Sequence, residues 1–269
     1  MSWDREGGYG RGMFQFHPAR PLSSRSSSFH SPLFTRQTKD TEIRSRPFPH
    51  IGRTLEEQVR ALTCEAGIIP VDLERVLDFG VEVFILVEGC AADASLITRV
   101  WQHSLKTGYL AALISLNQRG EQRMVWQSFV GGVLHDIGML LFLTQQPKVF
   151  STVVDIAQHR GWDLPVVERQ LMGSTHAEIG TSFLARWGVD EVLLDTVAFH
   201  DDPLKVPHVG FGPLTAVYAA NLVEGGGMAQ DCDGVIGREG EAYLMRLGLW
   251  DELPLWQEWM RDIHQLAIS

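Results

Sequence analysis

Apolar residues recur at helical spacing through most of the chain beyond residue 50. The stretch TLEEQVRALTCEAG (54–67) begins with Thr, carries early acids and ends on Gly67, as a helix would. Helical segments are also predicted over 91–118, 121–144, 147–160, 161–173 (behind Pro165), 174–187, 189–201 and 212–224, with one or two more after a glycine-rich loop at 225–227. Alternating strand patterns and internal repeats are absent from the sequence. The pattern predicts an all-α protein.

Two segments are less regular. The stretch VDLERVLDFGVEVFILVEG (71–89) favours a pair of short helices, although its part VEVFILV (81–87) also fits a strand, because a short apolar run has no decisive period. Residues 1–50 are rich in Ser, Gly, Arg and Pro and show no apolar period. We therefore predict a disordered or linker segment over 1–50 and one helical domain over 51–269.

The charge is unevenly distributed. The chain has a net charge of −10, but residues 1–50 hold eight Lys and Arg against four Asp and Glu, which leaves −14 for the remainder. A nucleic-acid-binding surface needs a basic face, so the acidic body argues against nucleic acid as a partner.

Cysteine usage and hydropathy indicate the compartment. Cys64, Cys90 and Cys232 are far apart, odd in number and not at metal-ligand spacing. No uninterrupted apolar stretch reaches the roughly 18 to 20 residues of a membrane span, and the N-terminus has no signal-peptide core. We expect a cytoplasmic protein without membrane contact.

The most informative stretch is FVGGVLHDIGMLLFL (129–143), in which His135 and Asp136 interrupt an apolar run. Burying an unpaired charge costs several kcal/mol, so this pair requires a hydrogen-bond network, a metal, or both. The adjacent glycines would let neighbouring helices approach closely, at a cost of about 1 kcal/mol each relative to Ala; these are Gly131, Gly132 and Gly138.

Other polar side chains stand alone on apolar helices. They are His103, His176, His200 with Asp201, and Asn221. A single histidine of this kind is more often a satisfied core residue than a ligand, but several on successive helices can converge in a bundle. Imidazole and carboxylate donors suit iron, manganese or zinc, and a carboxylate can bridge two ions. The predicted ligands are His103, His135, Asp136, His176, His200 and Asn221.

The order of these pieces resembles the HD superfamily, and within it the HD-related output domain (HDOD) family of bacterial signalling proteins. The resemblance rests on VWQHSLKTGYLAAL (100–113), FVGGVLHDIGMLLFL, HAEIGTSFLARWGVDEVLLDTVAFHDDP (176–203) and LTAVYAANLV (214–223). It implies a helical bundle with an HD core over about 95–225 and a regulatory role.

The chain departs from the pattern of catalytic HD enzymes at three positions. Met139 stands where those enzymes carry a Lys three residues after the Asp, Asp201 replaces the second His of a His-His pair, and Asn221 replaces a late Asp. Loss of the cation alone would cost orders of magnitude in rate. No catalytic residue is assigned, and Asp201 and Glu178 are expected beside the ligands. The charged residues Asp163 and Glu168 are interpreted as solvated or capping groups.

Two functions remain open. The first is a signalling module that binds partner proteins, with a metal or small nucleotide ligand in a degenerate pocket. The second is a metal-dependent phosphohydrolase or phosphodiesterase acting on nucleotides or cyclic dinucleotides. The three departures favour the first.

Overall fold

The computed structural model describes residues 69–88, 94–206, 210–225 and 237–268. The predicted disordered segment at 1–50, the helix predicted at 54–67 and most of the glycine-rich loop lie outside the described residues.

The described residues form α-helices and contain no strand, which confirms the all-α prediction. The helices are α1 (Val71–Glu88), α2 (Ala94–Asn117), α3 (Gln122–Leu134), α4 (Ile137–Gln145), α5 (Pro147–Arg160), α6 (Leu164–Met172), α7 (His176–Arg186), α8 (Glu191–Phe199), α9 (Pro213–Glu224), α10 (Arg238–Arg246) and α11 (Leu253–Ile268). Short 3₁₀ turns at Pro203–Lys205 and Trp250–Glu252 connect helices near the C-terminal end.

The segment after Pro70 is a single helix, so the predicted pair of short helices and the alternative strand are both wrong. Its buried residues Leu73, Leu77, Phe84 and Val87 follow one another at intervals of three, four or seven residues. This spacing places all four on one face of a continuous helix. Packing of that face against the core favours the helix, whereas the short apolar run alone was compatible with either a helix or a strand.

The predicted helix over 121–144 is two helices that meet at His135 and Asp136. His135 is the C-cap of the first helix and keeps helical backbone angles, and Asp136 leaves the helical conformation with φ −99° and ψ 13°. A tight turn, in which the Met139 amide donates to the Asp136 carbonyl at 2.9 Å, then starts α4. The break directs two adjacent side chains into one cavity, which consecutive residues of an unbroken helix could not do.

Two groups of buried apolar side chains make up the interior. The first lies among α1 to α8 and includes Trp126, Phe129 and Phe142. The second lies between the later half of α2 and the C-terminal helices, and includes Ile114 and Trp256. The long helix α2 contributes to both and packs most extensively against α3 and α9.

Glycines permit the closest helix contacts, as the sequence predicted. A Cβ atom at Gly132 would lie 2.5 Å from the Cα of Gly108 in α2. At Gly138 a Cβ would lie 1.9 Å from the carbonyl oxygen of His176, a backbone atom that cannot rotate away. These glycines therefore let α2 and α7 approach the His135–Asp136 turn.

One segment of the described residues, Gln122–Gln145, is apolar and long enough to cross a membrane. This apolar stretch is entirely buried within the protein, and buried core helices of folded domains reach the same length and hydropathy. Its hydropathy is accounted for by core packing and is weak evidence for a membrane span.

Candidate metal centre

Four histidines from four helices surround the carboxylate of Asp136. His103 lies within α2, His176 begins α7, and His135 and His200 are the C-caps of α3 and α8. All five side chains are buried. The structure thus brings together five of the six predicted metal ligands.

One oxygen of Asp136 faces the first pair of histidines. The Oδ2 atom lies 3.5 Å from His103 Nε2 and 3.2 Å from His135 Nε2, and the two nitrogens are 3.1 Å apart. We call this group the His103 half-site. Its three donor atoms lie close enough together to share one ion.

The other oxygen of Asp136 faces the second pair. The Oδ1 atom lies 3.4 Å from both His176 Nε2 and His200 Nε2, which are 3.1 Å apart. The Asp201 carboxylate completes the group, with its oxygens 3.4 Å from His176 Nε2 and 3.5 Å from His200 Nε2. We call this group the Asp201 half-site. The side chain of Asp201 is 37% exposed and opens the centre toward solvent.

Two histidines are oriented by carboxylates behind them. The Nδ1 of His176 donates to Glu168, whose oxygens lie 2.8 and 2.9 Å away, and the His176 amide donates to the same carboxylate at 2.8 Å. The Nδ1 of His103 donates to Glu224. Carboxylate partners of this kind fix the ring orientation of metal-ligating histidines and raise their basicity.

The remaining two histidines are oriented by backbone carbonyls one turn earlier. His135 Nδ1 donates to the Gly132 carbonyl at 2.7 Å, and His200 Nδ1 donates to the Val197 carbonyl at 2.8 Å. Because carbonyl and carboxylate oxygens only accept, every Nδ1 of the four rings carries the proton. In the neutral rings all four Nε2 lone pairs therefore point into the centre.

This donor set fits a pair of divalent cations. Ligands about 2.0–2.2 Å from a common ion lie about 3.0–3.5 Å apart at coordination angles of 90–110°, which matches the separations in both half-sites. The Oδ2 atom of Asp136 is buried and has no hydrogen-bond partner among the described residues. A bridging carboxylate between two ions would satisfy it. Metal binding itself stays a prediction.

Burial and charge set the protonation of the Asp201 half-site. Burial alone would raise the pKa of Asp136, but the surrounding imidazoles, His135 foremost, hold that pKa well below its ordinary value. Burial works against a charged His176, yet the carboxylates of Glu168 and Asp201 raise its pKa to about 10. Without metal, this histidine therefore carries a proton at neutral pH, and protons and metal ions compete for the same nitrogen.

The carboxylate behind His176 is Glu168, so two sequence-based interpretations are wrong. Glu168 was assigned to a solvated face but is fully buried against His176. Glu178 was expected beside His176, but it accepts the Thr175 amide in a capping box and pairs with Arg169 at the surface. Helical spacing offered the signal, because Glu168 follows the buried Leu164 by four residues.

Glu224 and Lys106 are further residues that the sequence analysis missed. The Glu224 carboxylate bonds both His103 and the Lys106 ammonium. Burial alone would raise the pKa of Glu224, but these two partners lower that pKa to about 2. The spacing was a usable signal, since Lys106 lies one turn after His103.

Asn221, the sixth predicted ligand, lies on α9 one turn before Glu224, and Glu224 contacts His103. The side-chain oxygen of Asn221 is buried and has no hydrogen-bond partner in the described parts of the chain. It therefore shares the helix face that Glu224 presents to the His103 half-site, and its role as a ligand stays a prediction.

Comparison with known protein families identifies one family whose domain matches most of the region that holds the metal centre. The model of the HDOD domain matches residues 74–203. A curated relative, an uncharacterized protein of Treponema pallidum (strain Nichols), is 27% identical over 124 residues, which are 46% of this chain. The aligned region covers about a quarter, 24%, of that relative's length.

Three solved structures share the fold. An HDOD domain protein of unknown function from Geobacter sulfurreducens superposes with a TM-score of 0.60 at 20% identity, covering 74% of this chain and 70% of the other. A "putative phosphohydrolase" from Shewanella amazonensis SB2B gives 0.53 at 19% identity, covering 78% and 79%. A "putative signal transduction protein" from Marinobacter aquaeolei VT8 gives 0.52 at 17% identity, covering 74% and 44%. At these identities the likeness establishes the fold alone.

Proposed function

The chain belongs to the HDOD family, and we propose that it is a bacterial signal-transduction module that binds partner proteins in the cytoplasm. In this proposal the metal centre is kept as a ligand site that regulates the module. Iron, manganese or zinc would be held by the four histidines, Asp136 and Asp201, and would supply Lewis acidity to a bound anion.

This function is supported by the two positions near the centre from which a positive charge could reach a bound phosphate. Met139, at the position where catalytic HD enzymes carry a Lys, is 3% exposed and packs in the first core. Lys106 lies one turn from His103, but its ammonium is paired with Glu224. Neither position offers a free cation to a phosphate in its transition state, a loss that costs orders of magnitude in rate.

The alternative is a metal-dependent phosphohydrolase. The completeness of the donor set favours it, because both half-sites keep two histidines and a shared carboxylate in ligating positions. Such a centre can lower the pKa of bound water and polarise a phosphate ester without a nearby lysine. The two functions differ in whether the metal-loaded protein turns over a phosphoester.

Hydrolysis assays separate the two functions. The metal-loaded protein and its Asp136→Asn variant would be assayed with p-nitrophenyl phosphate, bis-p-nitrophenyl phosphate and cyclic dinucleotides. We expect equal background rates for both proteins, and equilibrium dialysis would show whether cyclic dinucleotides bind without turnover. A rate at least about a hundredfold above that of Asp136→Asn would establish the phosphohydrolase and overturn the proposal.

Partner binding and location need a separate experiment. Chemical cross-linking in the bacterium that makes the protein, followed by fractionation, would recover a stoichiometric partner from the cytoplasmic fraction if the proposal is right. Recovery of the chain in the membrane fraction without such a partner would contradict it.

A further inference from the structure

The two half-sites are not equivalent, and the differences lie in groups that bind or neutralise charge. We propose that the Asp201 half-site binds the first divalent cation tightly and the His103 half-site binds a second one more weakly. The inference rests on the proposed metal centre and adds the order in which it fills.

The first difference is the number of charged donors. The Asp201 half-site has two imidazoles, and both one oxygen of Asp136 and the carboxylate of Asp201 lie 3.4–3.5 Å from their Nε2 atoms. The His103 half-site has two imidazoles and the other oxygen of Asp136. Asn221 shares a helix face with Glu224 on that side, and its amide oxygen would be a neutral and weaker donor for a divalent ion.

The second difference is the charge behind the histidines. Glu168 stands behind His176 and is fully buried, with its hydrogen bonds going to the ring and amide of that residue. Glu224 stands behind His103, but Lys106 neutralises it. The negative charge that supports a cation is therefore preserved at the Asp201 half-site and cancelled at the His103 half-site.

Two ions rather than one are indicated by the orientation of Asp136. Its Oδ1 faces His176 and His200, whereas its buried Oδ2 faces His103 and His135 and accepts no hydrogen bond from the part of the chain that the structure describes. An ion in the Asp201 half-site alone leaves Oδ2 unsatisfied, and this atom then attracts the second ion. The occupancy of the His103 half-site would vary with cation supply, which is the behaviour a regulatory site needs.

The test is a Zn²⁺ titration of the metal-free full-length protein, followed by calorimetry and by ¹⁵N NMR of the histidine rings. We expect two binding steps whose dissociation constants differ by about tenfold or more. The Nε2 resonances of His176 and His200 should shift with the first equivalent, and those of His103 and His135 with the second. A single ion, one undivided step, or a first response from His103 and His135 would overturn the proposal.

Variants distinguish the two half-sites without removing a histidine. Asp201→Asn, at a partly exposed side chain, should weaken the first step about tenfold or more and reduce its preference for His176 and His200. Lys106→Met should strengthen the second step several-fold and leave the first unchanged. Glu178→Gln, which changes an exposed carboxylate paired with Arg169, is the matched control and should change neither.

The outcomes of these experiments are separable. If Asp201→Asn weakens only the second step, or if Lys106→Met leaves that step unchanged, the filling order is wrong. Detection of phosphoester hydrolysis with the order intact would refute the signalling function and leave this inference standing.

Discussion

The closest backbone approach in the centre predicts the effect of a single methyl group. In Gly138→Ala, the added Cβ would lie 1.9 Å from the His176 carbonyl oxygen, 2.7 Å from its carbon and 2.9 Å from the Gly180 amide nitrogen. All three are backbone atoms, so α4 and α7 must move apart. Overpacking of this kind costs about 3 kcal/mol, and the better helix propensity of Ala returns at most about 1 kcal/mol.

The net loss is about 2 kcal/mol, which lowers the melting temperature of a domain of this size by about 4–8 °C. Circular dichroism at 222 nm, recorded on metal-free protein, measures it. Gly210→Ala is the matched control, because a Cβ there meets no atom of the described residues within 4 Å, its φ lies outside the left-handed region and it caps no described helix. If Gly138→Ala melts within about 1 °C of that control, the packing argument is wrong.

Three further predictions concern metal, pH and a helix cap. Zn²⁺ at a hundredfold its dissociation constant should stabilise the protein by about 2.7 kcal/mol, seen as a rise in melting temperature that a chelator reverses; no change would argue against a metal centre. Because the pKa of Glu224 falls from 4.5 to about 2 on folding, its stabilisation is present above pH 4.5 and is lost as the pH falls toward 2. In metal-free protein, Glu224→Gln should therefore flatten the loss of stability between pH 4.5 and about 2 in urea unfolding, and an unchanged slope would refute this. Thr175→Ala removes the N-cap of the helix that begins with His176 and should cost about 1 kcal/mol in the same assay, whereas Thr152→Ala, at an exposed position within α5, should cost less than half of that.

The sequence predicted most of the metal centre because its ligands are conspicuous where they occur. His135 and Asp136 interrupt an apolar run, and each of the other histidines stands on an apolar face, so burial and convergence follow from helical spacing. The fold class followed from the same period. The break between α3 and α4 could not be predicted from that period, because apolar residues continue on both sides of the break and the turn is stabilised by contacts with α7.

The carboxylates behind the histidines were harder to predict. Glu168 lies on an amphipathic helix that also presents exposed side chains such as Val166 and Leu171, and a glutamate on such a helix is usually solvated. Glu178 is nearer to His176 in sequence, yet position N3 of the helix turns it back to Thr175. Glu224 ends its helix and meets His103 only because α9 packs against α2, a contact that no local pattern encodes.

The sharing of α2 by two cores has a consequence for hydrogen exchange. Amides in the middle of α2, between Leu105 and Leu110, are covered from both sides and exchange only when the whole domain unfolds. Among the described residues, the C-terminal helices α10 and α11 contribute to the second core and not to the first, so we expect them to form a smaller cooperative unit that can open by itself. When such an opening loosens α9 as well, Glu224 releases the Nδ1 of His103, and the metal centre becomes sensitive to events at the far end of the chain.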